Sequence, residues 1–392
     1  MAVVKFATIY PTGPLCVGSR AAVARLVSQV TTWLAEGNPG QVAAVCLPES
    51  QLEGVTQFDL SLPQGQRILL GIARRVGKSL NFLLAENDEG TLRTRRGVNM
   101  LVASRMKPKV ILTATACAAI LCRRHFPEAR IILWVHAAPE RKHELLAARA
   151  FRAAHALVLP SRALYDLLWD RFAFEEFTPP VWIIHNYADL RQFFAPTLEQ
   201  RREGRSKFGL CEEDFAIVHL SRGRIKGLQI VEAALPLVRT NGQRLVLLSA
   251  GDKVRHTRGS GNLLEIRRLG QLPIHELRAL YHAADLGVVP SVFFEAFCLA
   301  AVEMMTCGVC VVASKSGGLA EVIVDGRTGR IVARPNDVEL WASVLQEVIS
   351  DDVTRRRLAD EGRTEALGRF DGTTFYEHWT RLINTLLLSA EC

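Results

Sequence analysis

Ser291-Val-Phe-Phe-Glu295-Ala-Phe-Cys-Leu-Ala-Ala-Val-Glu303 sets two carboxylates eight residues apart, directly after a short apolar run, Leu286 to Pro290. The apolar run reads as a buried strand. A helix-like run follows the first carboxylate and closes at Cys307-Gly308. Strand, loop and helix N-terminus in that order make the anion-binding arrangement of open α/β sheets. At the helical rise of ~1.5 Å per residue, the two carboxylates stand roughly 12 Å apart. That is about the reach from a sugar ring, across a diphosphate, to the ribose of a nucleotide-sugar. Glu295 could then hold sugar hydroxyls and Glu303 ribose hydroxyls. The free N–H groups of Phe297, Cys298 and Leu299 would face the diphosphate. Two solvated helix carboxylates would give the same spacing, so the rest of the chain has to decide.

Working outward, short apolar, β-branched runs alternate with longer helical patterns. In the first half the expected strands are Val3–Ile9, Val42–Leu47, Val110–Thr113, Ile131–Val135, Leu157–Pro160 and Trp182–Ile184. In the second half they are Ala216–Leu220, Leu245–Ser249, Leu286–Pro290, Val309–Ala313 and Arg330–Val332. Alternation of this kind predicts parallel sheets covered by helices on both faces, and it occurs twice. The expected fold class is therefore α/β, with two doubly wound, Rossmann-like domains facing a central cleft and ligands at the carboxyl ends of the strands. The boundary falls near His185–Asp189. The first domain is expected over 1–185 and the second over 186–372. The amphipathic run 373–392 reads as a C-terminal helix that could pack on either.

Composition narrows the class. A length of 392 residues suits two domains of ordinary size. Hydrophobic content of 49% with 22% charged residues excludes a disordered or fibrous chain. No stretch reaches the ~18 uninterrupted apolar residues of a membrane span. Met1-Ala-Val-Val-Lys-Phe reads as a first strand without a cleavable signal pattern, so the cytoplasm is the expected location. The nine cysteines are odd in number, and Cys46, Cys117 and Cys310 lie in apolar runs, where a thiol acts as a small hydrophobe. Cys307-Gly-Val-Cys310 has the form of a redox or metal site but no second pair or histidine cluster, so no metal is expected.

The net charge of +8 lies entirely in the first half, where residues 1–180 carry 22 Lys and Arg against 14 Asp and Glu. Its densest stretch runs from Arg93 through Arg105, Lys107 and Lys109 to Arg123, Arg124 and Arg130. A basic face favours anionic partners, acidic lipid headgroups and phosphorylated acceptors among them, although a soluble basic surface with no dedicated partner would carry the same charge. No nucleic-acid reader motif accompanies it, so nucleic acid is not an expected partner.

Further candidates stand at other strand ends. His219-Leu-Ser-Arg222-Gly-Arg224-Ile-Lys226-Gly227 follows a strand and leads into a helix. Arg222 and Lys226 are suited to stabilise the charge that develops on a departing diphosphate, and Arg224 could replace either. Gly18 lies in the turn after the first strand, where backbone could approach a phosphate; a plain βα turn would look the same. His136 ends the strand Arg130-Ile-Ile-Leu-Trp-Val-His136 and would point into the cleft. His155 and His185 read as structural. The pair Gly317-Gly318 would let a ligand approach closely, and Glu321 reads as a first-turn helix residue complementing the dipole.

Taken together, the second half resembles the donor-binding domain of retaining glycosyltransferases of family 4, glycosyl transferases group 1, which have the GT-B fold. The resemblance rests on Ile184-His-Asn186-Tyr-Ala-Asp189, Arg222 with Lys226-Gly227, Leu269-Gly270, Tyr281-His-Ala-Ala-Asp285, Pro290-Ser291, Glu295 to Glu303, Cys307-Gly308-Val309, Gly317-Gly318-Leu-Ala-Glu321-Val and Asp325-Gly-Arg-Thr-Gly329. It implies a metal-independent retaining hexosyltransferase with no cofactor beyond its nucleotide-sugar donor. Glu295 would contact the transferred sugar and Glu303 the ribose. Arg222 and Lys226 would neutralise the diphosphate, Gly18 would donate an N–H to it, and His136 would stand beside the anomeric carbon. The base would lie against backbone near Leu269–Leu272. The C-terminal helix would cross back to the first domain. Donor base, sugar and acceptor are open: uridine is the commonest base, and a lipid-linked or polysaccharide acceptor fits the basic face, with peripheral contact at the inner membrane surface, while a soluble small molecule is the alternative acceptor. Cys298 stands where the family commonly has Gly, Ala296 where Gly or Ser is frequent, and Cys310 where Pro is. A nucleotide-sugar epimerase of the same fold, or an inactive subunit binding a partner or membrane, are the competing expectations.

Overall fold

The computed structural model describes residues 5–10, 22–46, 50, 52–60, 89–172, 179–220, 224–240, 242–251, 255–258 and 263–389. Arg222 and Gly18 lie outside the described residues. The chain divides into two compact units, each built on its own seven-stranded sheet.

In the first unit, β1 (Phe6–Ile9), β2 (Val42–Cys46), β3 (Thr56–Asp59), β4 (Val110–Thr113), β5 (Arg130–Trp134), β6 (Ala156–Leu159) and β7 (Val181–Ile183) pair in the order β3-β2-β1-β4-β5-β6-β7, all parallel. Strands such as Val42-Ala-Ala-Val-Cys46 are buried at every position. That is what a parallel sheet demands, because crossover helices cover both faces. The edge strand β3, Thr-Gln-Phe-Asp, is largely exposed and polar.

In the second unit, β8 (Phe215–Leu220), β9 (Leu245–Ala250), β10 (Arg255–Arg258), β11 (Leu264–Gly270), β12 (Leu286–Val289), β13 (Cys310–Ser314) and β14 (Arg330–Val332) pair in the order β10-β11-β9-β8-β12-β13-β14. β10 is antiparallel to β11 and the other pairings are parallel. One face of this sheet packs on Trp341, Leu345 and Leu358, the other on Leu280, Tyr281, Met304 and Met305. Two Rossmann-like α/β units are what the alternating pattern predicted.

The division is not contiguous. Residues Pro160–Asp166 group with the second unit, as do the residues up to Glu377, whereas His378–Cys392 group with the first. There Trp379, at 0% exposure, meets Trp134 edge-on with ring centroids 4.9 Å apart. Arg130 donates to the Ser389 carbonyl. A C-terminal helix, Gly372–Leu388, carries the chain from one grouping to the other.

Candidate functional site

The strand order of the second sheet reverses at the β8–β12 pair: β8 leads outward to β9 and β12 to β13. Ligands of open α/β sheets bind at the carboxyl ends of such a pair. The loop after β8 carries Lys226 and the loop after β12 carries Glu295, so the topology brings two sequence-distant segments to one edge.

Two glycines let these loops touch. Gly227 has φ +76, and a Cβ there would lie 1.7 Å from the Pro290 carbonyl oxygen. Only glycine allows that approach and that backbone conformation together. The neighbouring Val292 N–H donates to the Ile225 carbonyl at 3.0 Å, joining the two loops. As a result the Lys226 ammonium reaches Glu295 Oε1 at 2.6 Å and also lies 4.5 Å from the centre of the Phe293 ring.

Glu295 is 6% exposed and has further supports. The Ser291 hydroxyl donates to the same oxygen, Oε1. Behind it, the Gly318 N–H donates to the Glu295 carbonyl at 2.7 Å, and the Ser316 hydroxyl donates to the Phe293 carbonyl at 2.5 Å. Gly317 has φ +50, and a Cβ there would lie 2.3 Å from the Glu295 carbonyl oxygen. The Gly317-Gly318 pair makes room for the chain's own Glu295 loop, a role the sequence reading did not give it. Phe297 locks the far end of that loop, buried and stacked near-parallel with His185 at 5.9 Å and edge-on to Phe370 at 5.4 Å.

The helix begins only at Leu299 and runs to Thr306. Glu295 therefore precedes it on an irregular loop, and the spacing drawn from a continuous helical rise does not apply. The residue that starts the helix is Cys298, with φ 83 and ψ 79, a left-handed conformation rare for a side-chain-bearing residue. A family glycine at this position thus has a physical reason, and Cys298 occupies it under strain. Burial, followed by the nearby Glu295 carboxylate, pushes its thiol up to about 12. The backbone N–H groups of Phe297, Cys298 and Leu299 have no hydrogen-bond partner among the described residues. Glu303, 3% exposed on the helix, accepts from the Tyr281 hydroxyl at 3.1 Å.

Leu272 follows the end of β11, a strand parallel to β9, and so lies at the same carboxyl edge. Gly251 donates to the Gly270 carbonyl at 2.7 Å, closing that edge next to it. Cys307 and Cys310 are both buried, and burial raises both thiols, Cys310 to about 12. Among the described residues no three His, Cys, Asp or Glu side chains gather as a metal site. No helix of the described residues is long and apolar enough to cross a membrane.

Three side chains around this edge carried no assigned role in the sequence reading: Ser291, Ser316 and Tyr281. Ser291 and Tyr281 stood inside recognisable blocks, but their bonds depend on which loops meet. Glu321 also does more than complement its own helix. It accepts from the Arg162 and Ala163 backbone N–H groups at 2.9 and 2.5 Å and pairs with His185 at 3.5 Å, so it caps another helix, Arg162–Phe172.

His136 belongs to the first unit and follows β5 at its carboxyl end, as the sequence predicts. Its ring lies 4.5 Å from that of Trp134, and both ring nitrogens are out of contact with solvent and without a hydrogen bond among the described residues. Burial pushes its pKa down to about 3, so the imidazole is neutral near pH 7. It lines a cavity of about 330 Å³ with Tyr10, Thr115, Leu146 and Phe151.

Residues 200–365 match the model of the family described as glycosyl transferases group 1. Over 195 residues the chain is 29% identical to the lipopolysaccharide 1,2-N-acetylglucosaminetransferase of Salmonella typhimurium, covering 45% of this chain and 51% of that enzyme. The chain spans about half or less of the length of the first curated relatives it matches. Among solved structures, sucrose-phosphate synthase from Thermosynechococcus elongatus superposes with a TM-score of 0.71 at 17% identity, covering 98% of this chain and 100% of that one. Anabaena HepE, solved with UDP and glucose, gives 0.71 at 18% identity over 97% of this chain and 99% of that one. The fold these proteins share with this chain is GT-B.

Proposed function

We propose that this chain is a metal-independent, retaining glycosyltransferase of family 4 that moves a sugar from a nucleotide-diphosphate sugar, a UDP-sugar first, to an acceptor hydroxyl. The observation that carries this reading is the bonded cluster of Lys226, Glu295 and Ser291 beside the free N–H groups of Phe297, Cys298 and Leu299. A cation and free N–H groups suit a diphosphate; a carboxylate held from behind suits sugar hydroxyls. Glu303 would hold the ribose, Leu272 would border the base, and Arg222 and Gly18 keep the diphosphate roles that the resemblance gives them. His136, neutral, would serve next to the anomeric carbon.

In the transfer, the bond from the anomeric carbon to the phosphate oxygen breaks and the acceptor oxygen bonds to the same face. The leaving diphosphate takes the acceptor's proton through a short-lived, oxocarbenium-like ion pair. Lys226 would swing from Glu295 to the departing phosphate. The relatives' names support sugar transfer, and HepE's UDP and glucose support this donor class. The acceptor would be a polysaccharide or lipid-linked glycan at the cytoplasmic membrane face.

The test is a thermal-shift panel of UDP, GDP, ADP and CDP, followed by product analysis with labelled donor. Glu295→Ala should greatly reduce transfer while leaving nucleoside diphosphate affinity nearly intact. Equal loss of both contradicts a sugar contact; an epimerised free donor replaces transfer with epimerisation; no shift with any nucleotide removes the site.

A further inference from the structure

The helix Glu144–Ala153 turns Ala147, Ala150, Phe151 and Ala153 inward and packs on the helix Ala116–His125. Its other face is unusual. Leu145 is 85% exposed and Leu146 38%. Arg141, in the short turn before the helix, and Arg149 stand four residues either side of Leu145, on one face with it. Both arginines are exposed and bond to no described residue. The nearby acids are already matched: Glu140 pairs with Lys142 at 2.7 Å, and Glu144 accepts from Arg171 at 3.1 Å.

We propose that this face of the helix Glu144–Ala153, with Leu145 as its wedge and Arg141 and Arg149 as its charges, seats the first unit on an anionic lipid surface. A scattered exposed leucine needs no explanation. Two adjacent exposed leucines framed by arginines with no partner among the described residues are the pattern of an interfacial helix, whose long cationic side chains reach phosphate headgroups while the apolar ones enter the acyl boundary. An exposed apolar side chain flanked by two cations matches an anionic lipid surface both in charge and in what it can insert. The placement has a use. Leu146, Ala147 and Phe151 of the same helix line the cavity that holds His136, so an acceptor with an apolar tail could pass from lipid along the helix edge to that imidazole.

The densest basic stretch of the sequence lies elsewhere. Lys107 and Lys109 precede β4, and Arg123 and Arg124 end the helix that leads to β5. They occupy the amino edge of the sheet, whereas His136 follows the carboxyl edge. That cluster provides the internal comparison.

The experiment is co-sedimentation of the full chain with phosphatidylcholine vesicles, with and without phosphatidylserine. It needs neither donor nor transfer, so its failure is distinct from failure of the proposed reaction. Wild type should bind the anionic vesicles and release at high salt. Each cation near such a surface is worth roughly fivefold in partitioning. Arg141→Glu with Arg149→Glu should therefore lower binding by at least about 25-fold, and Leu145→Ser should weaken it on anionic vesicles with an unchanged thermal midpoint. Lys107→Glu with Arg123→Glu and Arg124→Glu should retain more than half of the binding. Absent binding by wild type, or loss only in the amino-edge variant, overturns the proposal. So does a Leu145→Ser variant that changes oligomeric mass but not vesicle binding, since the face would then join two copies of this chain.

Discussion

Replacing Cys298 tests whether the start of the helix Leu299–Thr306 is built for glycine. Its φ of 83 places a side chain where left-handed backbone costs roughly 1–2 kcal/mol. Cys298→Gly removes that cost. It also removes partly covered apolar atoms worth about 1 kcal/mol and frees the unfolded chain by roughly 0.5–1 kcal/mol. These contributions nearly cancel, so the glycine variant alone decides nothing. Cys298→Ala loses the same sulfur but keeps a Cβ and hence the backbone cost. The difference between the two variants isolates the conformation: Cys298→Gly should be the more stable by about 0.5–1 kcal/mol. At an ordinary helix or strand position the sign is opposite, with alanine ahead by roughly 0.5–1 kcal/mol. For a unit of this size such a difference moves the melting temperature by about 1–4 °C. Differential scanning calorimetry of the full chain measures it and shows which transition shifts, as two units need not melt together. An alanine variant melting at or above the glycine variant would refute the argument.

Lys226→Ala should lower UDP affinity and slow turnover by at least about tenfold each, and wild-type kinetics would remove it from the site. Gly227→Ala should reproduce that loss without touching a charge, because its Cβ would meet the Pro290 carbonyl; a destabilisation of roughly 1–3 kcal/mol should accompany it in urea melts, and normal nucleotide binding would contradict the contact. For His136, whose pKa falls to about 3 in the folded chain, the unfolded chain binds the extra proton below pH ~6.5, so stability is full above that pH and is lost as pH falls toward 3. His136→Phe should flatten the decline in melting temperature between pH 7 and about pH 4.5, and an unchanged slope would show the ring is not held neutral.

How much of this was legible depended on where the information lies. β12 and β4 are runs of aliphatic residues whose burial on both faces is written into their composition, and the expected strands match them to within a residue. β3, β10 and β11 were missed because nothing in Thr-Gln-Phe-Asp or Arg-His-Thr-Arg marks a strand. They exist because a neighbour offers unpaired backbone groups. β11 carries charges balanced across the sheet, with Arg268 on Glu232 and Glu265 on Arg244 and Arg267. At the site, Lys226 and Glu295 were readable as residue types after strands. Ser316 was not, since its role exists only where its turn meets the loop of Phe293 and Glu295. The continuous helical rise assumed between the two carboxylates does not hold, for a local reason: Glu295 precedes the helix and a left-handed residue starts it.

That same local geometry says which part of the site can move. Glu295 has two kinds of support: Ser291 and the Ser316–Gly318 turn hold it from its own sheet edge, and Lys226 reaches it across from the β8 loop. The Lys226 side chain is 29% exposed and the Glu295 side chain only 8%. A buried carboxylate stripped of every partner would be costly, so a site that depended on the lysine alone could not release it to a ligand. With the serine and the turn in place, the ammonium can leave for a phosphate while the carboxylate keeps its position and at least one donor. The loop glycines therefore do more than close a gap. They fix the anchor in advance, so that under the proposed function Lys226 is the part left to answer the diphosphate.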